Sequence, residues 1–105
     1  MFSFFSKTKS ITTTELADKL TSSITLLDVR TPEEYRKGHI SSAQNIPLNK
    51  ISGYRGKKDT EIYVICQSGM RSKQAAKQLR DQGYDVVNVK GGMSQWSGKV
   101  RGGKA

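Results

Sequence analysis

The single cysteine of this chain, Cys66, is followed by residues that would make a sulfur reactive. Tyr63-Val64-Ile65 are β-prone and run straight into it. Gln67-Ser68-Gly69-Met70-Arg71-Ser72 form a short polar loop with one glycine, and Lys73 to Arg80 read as a helix stopped by Gly83. Cys66 therefore stands at a strand-to-helix turn. The backbone N–H groups of such a turn make an anion-binding concavity, and the helix start behind it adds partial positive charge. Arg71 adds a full one. Such surroundings stabilise a thiolate over a thiol and lower the thiol pKa. A lone cysteine at a strand end is otherwise a small buried apolar residue. The glycine-containing loop, the arginine and the helix start favour a nucleophile.

Further polar residues stand at a second strand end. Ile24 to Val29 is a near-continuous apolar run, as expected of a strand covered on both faces, and it closes in Asp28-Val29-Arg30. Adjacent opposite charges at a strand end serve to brace loops, so Asp28 and Arg30 are read as supporting residues. The only histidine, His39, lies between a glycine stop and Ile40. Nothing in the sequence brings it within hydrogen-bond reach of a nucleophile, so it is read as structural.

The elements that position these residues follow from caps and periodicity. Thr12 with Glu15 forms a capping box, and the helix behind it buries Leu16, Ala17 and Leu20. Thr31, Pro32 at the first helical position and Glu34 form another. Gly38 closes that helix. Gln44 to Ile46 is a short strand closed by Pro47, Leu48 to Gly53 one helical turn, Glu61 to Ile65 the strand that delivers Cys66, and Val86 to Val89 the last strand. Gly91-Gly92 breaks that strand, Met93 to Ser97 closes the domain, and Trp96 is a core anchor. Alternating strands and helices imply an α/β domain with a mainly parallel sheet, whose ligands sit beyond the carboxyl ends of the strands.

Three stretches resemble the rhodanese family of single-domain sulfurtransferases. Cys66-Gln67-Ser68-Gly69-Met70-Arg71 is similar to the family's active loop. Leu27-Asp28-Val29-Arg30-Thr31-Pro32-Glu33-Glu34-Tyr35, followed by Gly38-His39-Ile40, Ala43 and Asn45-Ile46-Pro47, is similar to its early motif. Gly83-Tyr84, Val89, Gly91-Gly92-Met93 and Trp96 is similar to its late one. The resemblance runs from about Ile11 to Trp96. It implies a three-layer domain with a five-stranded sheet flanked by helices, and the ends bearing Cys66 and Asp28-Val29-Arg30 close together.

It also implies an activity. Cys66 thiolate takes a sulfane sulfur from a small anionic donor such as thiosulfate, or from a persulfide. It holds that sulfur as a persulfide in the loop from Gln67 through Ser68, Gly69, Met70 and Arg71 to Ser72, and passes it to a thiol, to cyanide or to a protein acceptor. Neither a cofactor nor a metal is called for. A non-enzymatic persulfide carrier would have the same sequence. Phosphatases and arsenate reductases of this fold also pair a cysteine with an arginine, but their loop holds one more residue than the four between Cys66 and Arg71 here. A contracted ring suits one sulfur better than a tetrahedral oxyanion. Thiosulfate-preferring rhodaneses often carry basic residues directly after the cysteine, where this chain has Gln67 and Ser68.

Composition bounds the rest. A chain of 105 residues is one domain, read as a lead-in over 1–9, a domain over 10–98 and a flexible basic tail over 99–105. One cysteine excludes an internal disulfide or a multi-cysteine metal site and suits a reducing, cytoplasmic setting. The net charge of +9 attracts anions. The cations are scattered and no aromatic residues alternate with them, which argues against a nucleic-acid platform. No apolar run is long enough to span a membrane. The three phenylalanines of Met1-Phe2-Ser3-Phe4-Phe5 are not those of a secretory signal.

Overall fold

The computed structural model describes residues 8–104; the phenylalanine-rich start lies outside them. Five parallel strands, β1 (Lys9–Ile11), β2 (Thr25–Asp28), β3 (Gln44–Asn45), β4 (Glu61–Ile65) and β5 (Asp85–Val89), form one sheet in the order β1-β5-β4-β2-β3. Helices α1 (Thr13–Lys19), α2 (Pro32–Lys37), α3 (Met70–Asp81) and α4 (Gly92–Gln95) connect or follow them, with a 3₁₀ turn over Leu48–Gly53. Among the described residues no helix is long and apolar enough to cross a membrane.

Side-chain alternation along the strands divides the core in two. Leu27, Val29, Ile62, Val64 and Val86 pack under α3 through Ala75, Ala76 and Leu79. Leu26, Tyr63, Ile65, Val87 and Val89 pack under Leu16 of α1 and Tyr35 of α2 on the opposite face, with Trp96 against that cluster. Cys66 continues the parity of Ile62 and Val64, so its side chain turns toward α3, and it is fully buried. Both capping boxes form, Thr12 with Glu15 and Thr31 with Glu34.

Three boundaries depart from the sequence reading. Helix α3 begins at Met70 rather than Lys73, because Gly69 takes a left-handed conformation (φ 105°) and turns the chain into the helix at once. Met70, Arg71 and Ser72 thus form the first helical turn, and only Gln67, Ser68 and Gly69 remain as loop. Helix α4 begins at Gly92, one residue before Met93. The tail does not hang free at its start. Arg101 exchanges both backbone hydrogen bonds with His39 (2.9 and 2.8 Å), and Gly103 N–H donates to the Arg36 carbonyl (2.9 Å). Composition cannot reveal that pairing, since it satisfies backbone groups left open behind α2.

Candidate active site

The site forms where β2 and β4 end side by side. Asp28 pairs with Ile65 in register, and Val29 N–H donates to the Ile65 carbonyl (2.9 Å). The chain leaves β4 at Cys66 and returns as α3 within four residues, so the amides of the loop residues Ser68 and Gly69 and of Ser72 in the first helical turn gather around the sulfur.

Gly69 N–H lies 2.9 Å from Cys66 Sγ, and Ser72 Oγ lies 3.4 Å from it. Ser72 is fully buried, and its hydroxyl also reaches the Gly69 carbonyl at 3.1 Å. A protonated thiol can donate to Ser72 while the hydroxyl donates to Gly69. Once the thiol ionises, the same hydroxyl can turn and donate to sulfur. Burial pushes the Cys66 thiol up. Hydrogen bonds from the Ser72 hydroxyl and from the N–H groups of Ser72, Gly69 and Ser68 outweigh it, so the thiol lies below its ordinary value.

The loop is anchored from behind by the chain that follows β5. Met93 N–H donates to the Cys66 carbonyl (2.8 Å) and Ser94 N–H to the Gln67 carbonyl (2.9 Å). Gly91 and Gly92, at φ 77° and 58°, allow that approach. A Cβ on Gly92 would stand 2.2 Å from the Cys66 carbonyl oxygen. The sequence shows Gly91-Gly92 as a strand stop; its role as the loop's seat depends on β5 lying beside β4, which no local signal reports.

Asp28 and Arg30 are both buried and paired through Arg30 Nε–Asp28 Oδ1 (3.0 Å) and Nη2–Oδ2 (2.7 Å). The guanidinium also donates to the Gly38 carbonyl (2.8 Å) and to Gln67 Oε1 (3.2 Å). Asn45 Nδ2 donates to the carbonyls of Asp28 and Arg30 (2.9 and 3.0 Å). This cluster ties the end of β2 to α2's exit and to the residue after the cysteine. His39 is buried, stacked on Tyr35 with ring centroids 3.6 Å apart, its Nδ1 2.7 Å from the Tyr35 carbonyl oxygen.

Arg71 is placed differently from the sequence reading, which gave its charge to the sulfur. Its Nη1 and Nη2 donate to Glu34 Oε1 and Oε2 at 2.7 and 2.9 Å. The pair holds the Glu34 carboxyl down at about 2 and raises Arg71. Glu34 reads in sequence as a capping residue only; its second partner lies 37 residues away. Met70 beside it is exposed. A groove of about 580 Å³, lined by Val29, Pro47, Leu48, Arg71 and Gln78 among others, runs along the outer side of this turn and does not include Cys66.

Comparison with known proteins agrees with this architecture. Residues 12–99 match the rhodanese-like domain family. A sulfurtransferase of Allochromatium vinosum is 39% identical over 85 residues, covering 78% of each chain. The thiosulfate sulfurtransferase GlpE of Pseudoalteromonas translucida is 34% identical, over 80% of this chain and 81% of that one. The matches to YqhL and YrkF of Bacillus subtilis, 40% and 44% identical over 75% and 74% of this chain, span only 65% and 44% of those longer proteins. A crystal structure of a rhodanese-like domain protein from Staphylococcus aureus superposes with a TM-score of 0.84 at 38% identity, over 91% of this chain and 99% of that one. With its parallel five-stranded sheet, its sequence match from Thr12 to Lys99 and its structural likeness over 91% of its length, this chain belongs to the rhodanese-like domain family.

Proposed function

We propose that the protein is an enzyme of persulfide transfer in which Cys66 is the nucleophile and the turn from Gln67 through Ser68, Gly69, Met70 and Arg71 to Ser72 is the cradle. The observation that carries the reading is the seat of Cys66 Sγ, 2.9 Å from the Gly69 N–H and 3.4 Å from the Ser72 hydroxyl. Oriented donors around a buried sulfur favour its anionic form.

With thiosulfate as donor, the thiolate attacks the outer sulfur. A Cys66 S–S bond forms, the donor's S–S bond breaks, and sulfite leaves with the electron pair. A thiolate or cyanide then attacks the terminal sulfur of the persulfide, and Cys66 departs as thiolate. Each step exchanges one sulfur bond for another, so no external oxidant is needed. Cys66 is fully buried, so the turn around it must shift to admit a donor to the sulfur. Asp28 and Arg30 position the loop. A reducing compartment such as the cytoplasm keeps the thiol free.

The Glu34 carboxylate on Arg71 argues against phosphate or arsenate chemistry, because the guanidinium such enzymes need for an oxyanion is already engaged. A dedicated carrier is the remaining alternative, and YrkF bears a name that proposes sulfur-carrier function. Mass spectrometry after thiosulfate treatment should show one added sulfur on Cys66, absent in Cys66→Ala. Multiple turnovers with small thiols identify an enzyme; a single transfer identifies a carrier. Turnover retained by Cys66→Ala overturns the proposal.

A further inference from the structure

We infer a second anion site, separate from the Cys66 cradle, between α3 and the β1–β5 edge of the sheet, built to take a phosphate group. Its base is Asn88. This β5 side chain lies on the parity of Val86, so it faces α3, and it is 1% exposed. Neither its Nδ2 nor its Oδ1 has a hydrogen-bond partner among the described residues. A buried amide with both ends unmet is costly to fold around, and native structures rarely keep one without use.

Asn88 lines the floor of a hollow of about 490 Å³ together with Thr8, Ser10, Lys73, Lys77 and Arg80, with its amide just beneath the surface, so an anion reaches it by a small shift of the side chain. Lys73, Lys77 and Arg80 lie at i, i+4 and i+7, so one stripe of α3 carries three cations over the hollow. Ser10 stands opposite Asn88 in the β1–β5 register and offers a hydroxyl. Arg80 donates to Thr8 Oγ1, and Lys77 pairs with Asp81 at 3.2 Å. Asp81 is the one carboxylate paired with these cations among the described residues, so a net positive charge remains. Hydroxyls, an amide donor and clustered cations together fit a tetrahedral, multiply charged oxyanion, which accepts several charge-assisted hydrogen bonds at once. A carboxylate would use fewer of these donors.

The site can be tested on the intact protein with inorganic phosphate, pyrophosphate and ADP at ionic strength held constant with chloride. Titrations followed by NMR should be saturable and should move the Asn88 side-chain amide together with the Ser10 backbone amide. Lys73→Gln/Lys77→Gln, two changes on an exposed helix face, should weaken binding about tenfold or more. Asn88→Leu should raise Tm without anion, by removing the unmet amide, and should lose the rise in Tm that pyrophosphate gives the wild type. ADP binding tighter than pyrophosphate assigns the phosphate to a nucleotide; equal binding assigns it to the free group. Shifts confined to Gly69 and Ser72, non-saturable titrations, or unchanged affinity in the double lysine variant would each overturn the site. The lysine variant carries the test if Asn88→Leu does not fold.

Discussion

Arg71 and Glu34 face one another fork to fork, with two hydrogen bonds of 2.7 and 2.9 Å joining the first turn of α3 to the first turn of α2. The same Glu34 Oε1 accepts the Thr31 N–H at 2.9 Å, so one carboxylate caps α2 and pins the helix behind the cysteine. Bidentate arginine–carboxylate pairs fix orientation as well as supplying energy.

That pair makes part of the stability acid-labile. The Glu34 carboxyl is held at about 2 in the fold, chiefly by the Arg71 hydrogen bonds, against about 4.3 in an unfolded chain. Its folded value is depressed, so the stability it confers is full above the unfolded value and is lost as pH falls toward 2. Both side chains are one-third exposed, and solvent screening reduces the contribution to about 1 kcal/mol. Glu34→Gln should lower urea stability by about that amount at pH 7, and the gap to wild type should narrow below about pH 4.3 and close only as pH falls through about 2. A gap constant across that range would mean that Glu34 acts by packing.

The thiol should titrate below the ordinary cysteine value of about 8.5, read from thiolate absorbance against pH. Because hydrogen bonds offset burial at Cys66, removing one should raise the midpoint. Ser72→Ala is expected to do so and to lower kcat/KM about tenfold, the usual worth of one hydrogen bond to a charged group. Arg71→Ala should move the midpoint less, since Glu34 compensates its charge. If Arg71→Ala had the larger effect, long-range charge rather than contact would govern the sulfur.

Gly92 tests the loop's seat without touching a reacting atom. Gly92→Ala would press a methyl group to within 2.2 Å of the Cys66 carbonyl oxygen, on a backbone with φ 58°. Overpacking and left-handed strain together should cost about 2–4 kcal/mol in denaturant unfolding. Relieving the clash parts Gly92 from Cys66 and Gln67 and loosens the loop's seat, so sulfur transfer should fall in whatever fraction stays folded. Wild-type activity at reduced stability would show that the cradle holds its shape without α4.

What the sequence discloses and what it hides divide along one line. Thr12 with Glu15 and Thr31 with Pro32 and Glu34 announce their helices because a cap is a local event, complete within four residues. The strand that carries Cys66 and the parity that turns it toward α3 are local too. The start of α3 escapes a reading by composition because Gly69 acts through its φ angle, and Met70-Arg71-Ser72 suit a loop as well as a helix. Pairings across the sheet are not written locally at all: Glu34 with Arg71, Arg30 with Gln67, Gly92 under Cys66, and His39 with Arg101. The first three depend on the strand order β1-β5-β4-β2-β3, which brings together segments far apart in the chain, and the last on the return of the tail to the exit of α2.

Gln67 shows how such a pairing alters an expectation. As a neutral residue directly after the cysteine, it marks a place where an added cation should attract the thiosulfate dianion. In the fold, however, Gln67 Oε1 accepts from Arg30 Nη1 at 3.2 Å, so Gln67→Arg both adds a charge and removes a tether. The two effects separate against Gln67→Met, which is similar in length and also drops the tether but adds no charge. At the solvated mouth the added cation gains about 0.5–1 kcal/mol, so kcat/KM for thiosulfate should be about two- to five-fold higher in the arginine variant than in the methionine one at low salt. The ratio should approach one near 1 M salt, where the Debye length is about 3 Å, and should be smaller throughout for an uncharged persulfide donor. Relative to wild type, both variants should lose some activity from the freed loop, about two-fold for a partly exposed hydrogen bond, so the arginine variant alone would understate the electrostatic gain. A ratio of one at low salt would show that charge at position 67 does not govern the choice of donor.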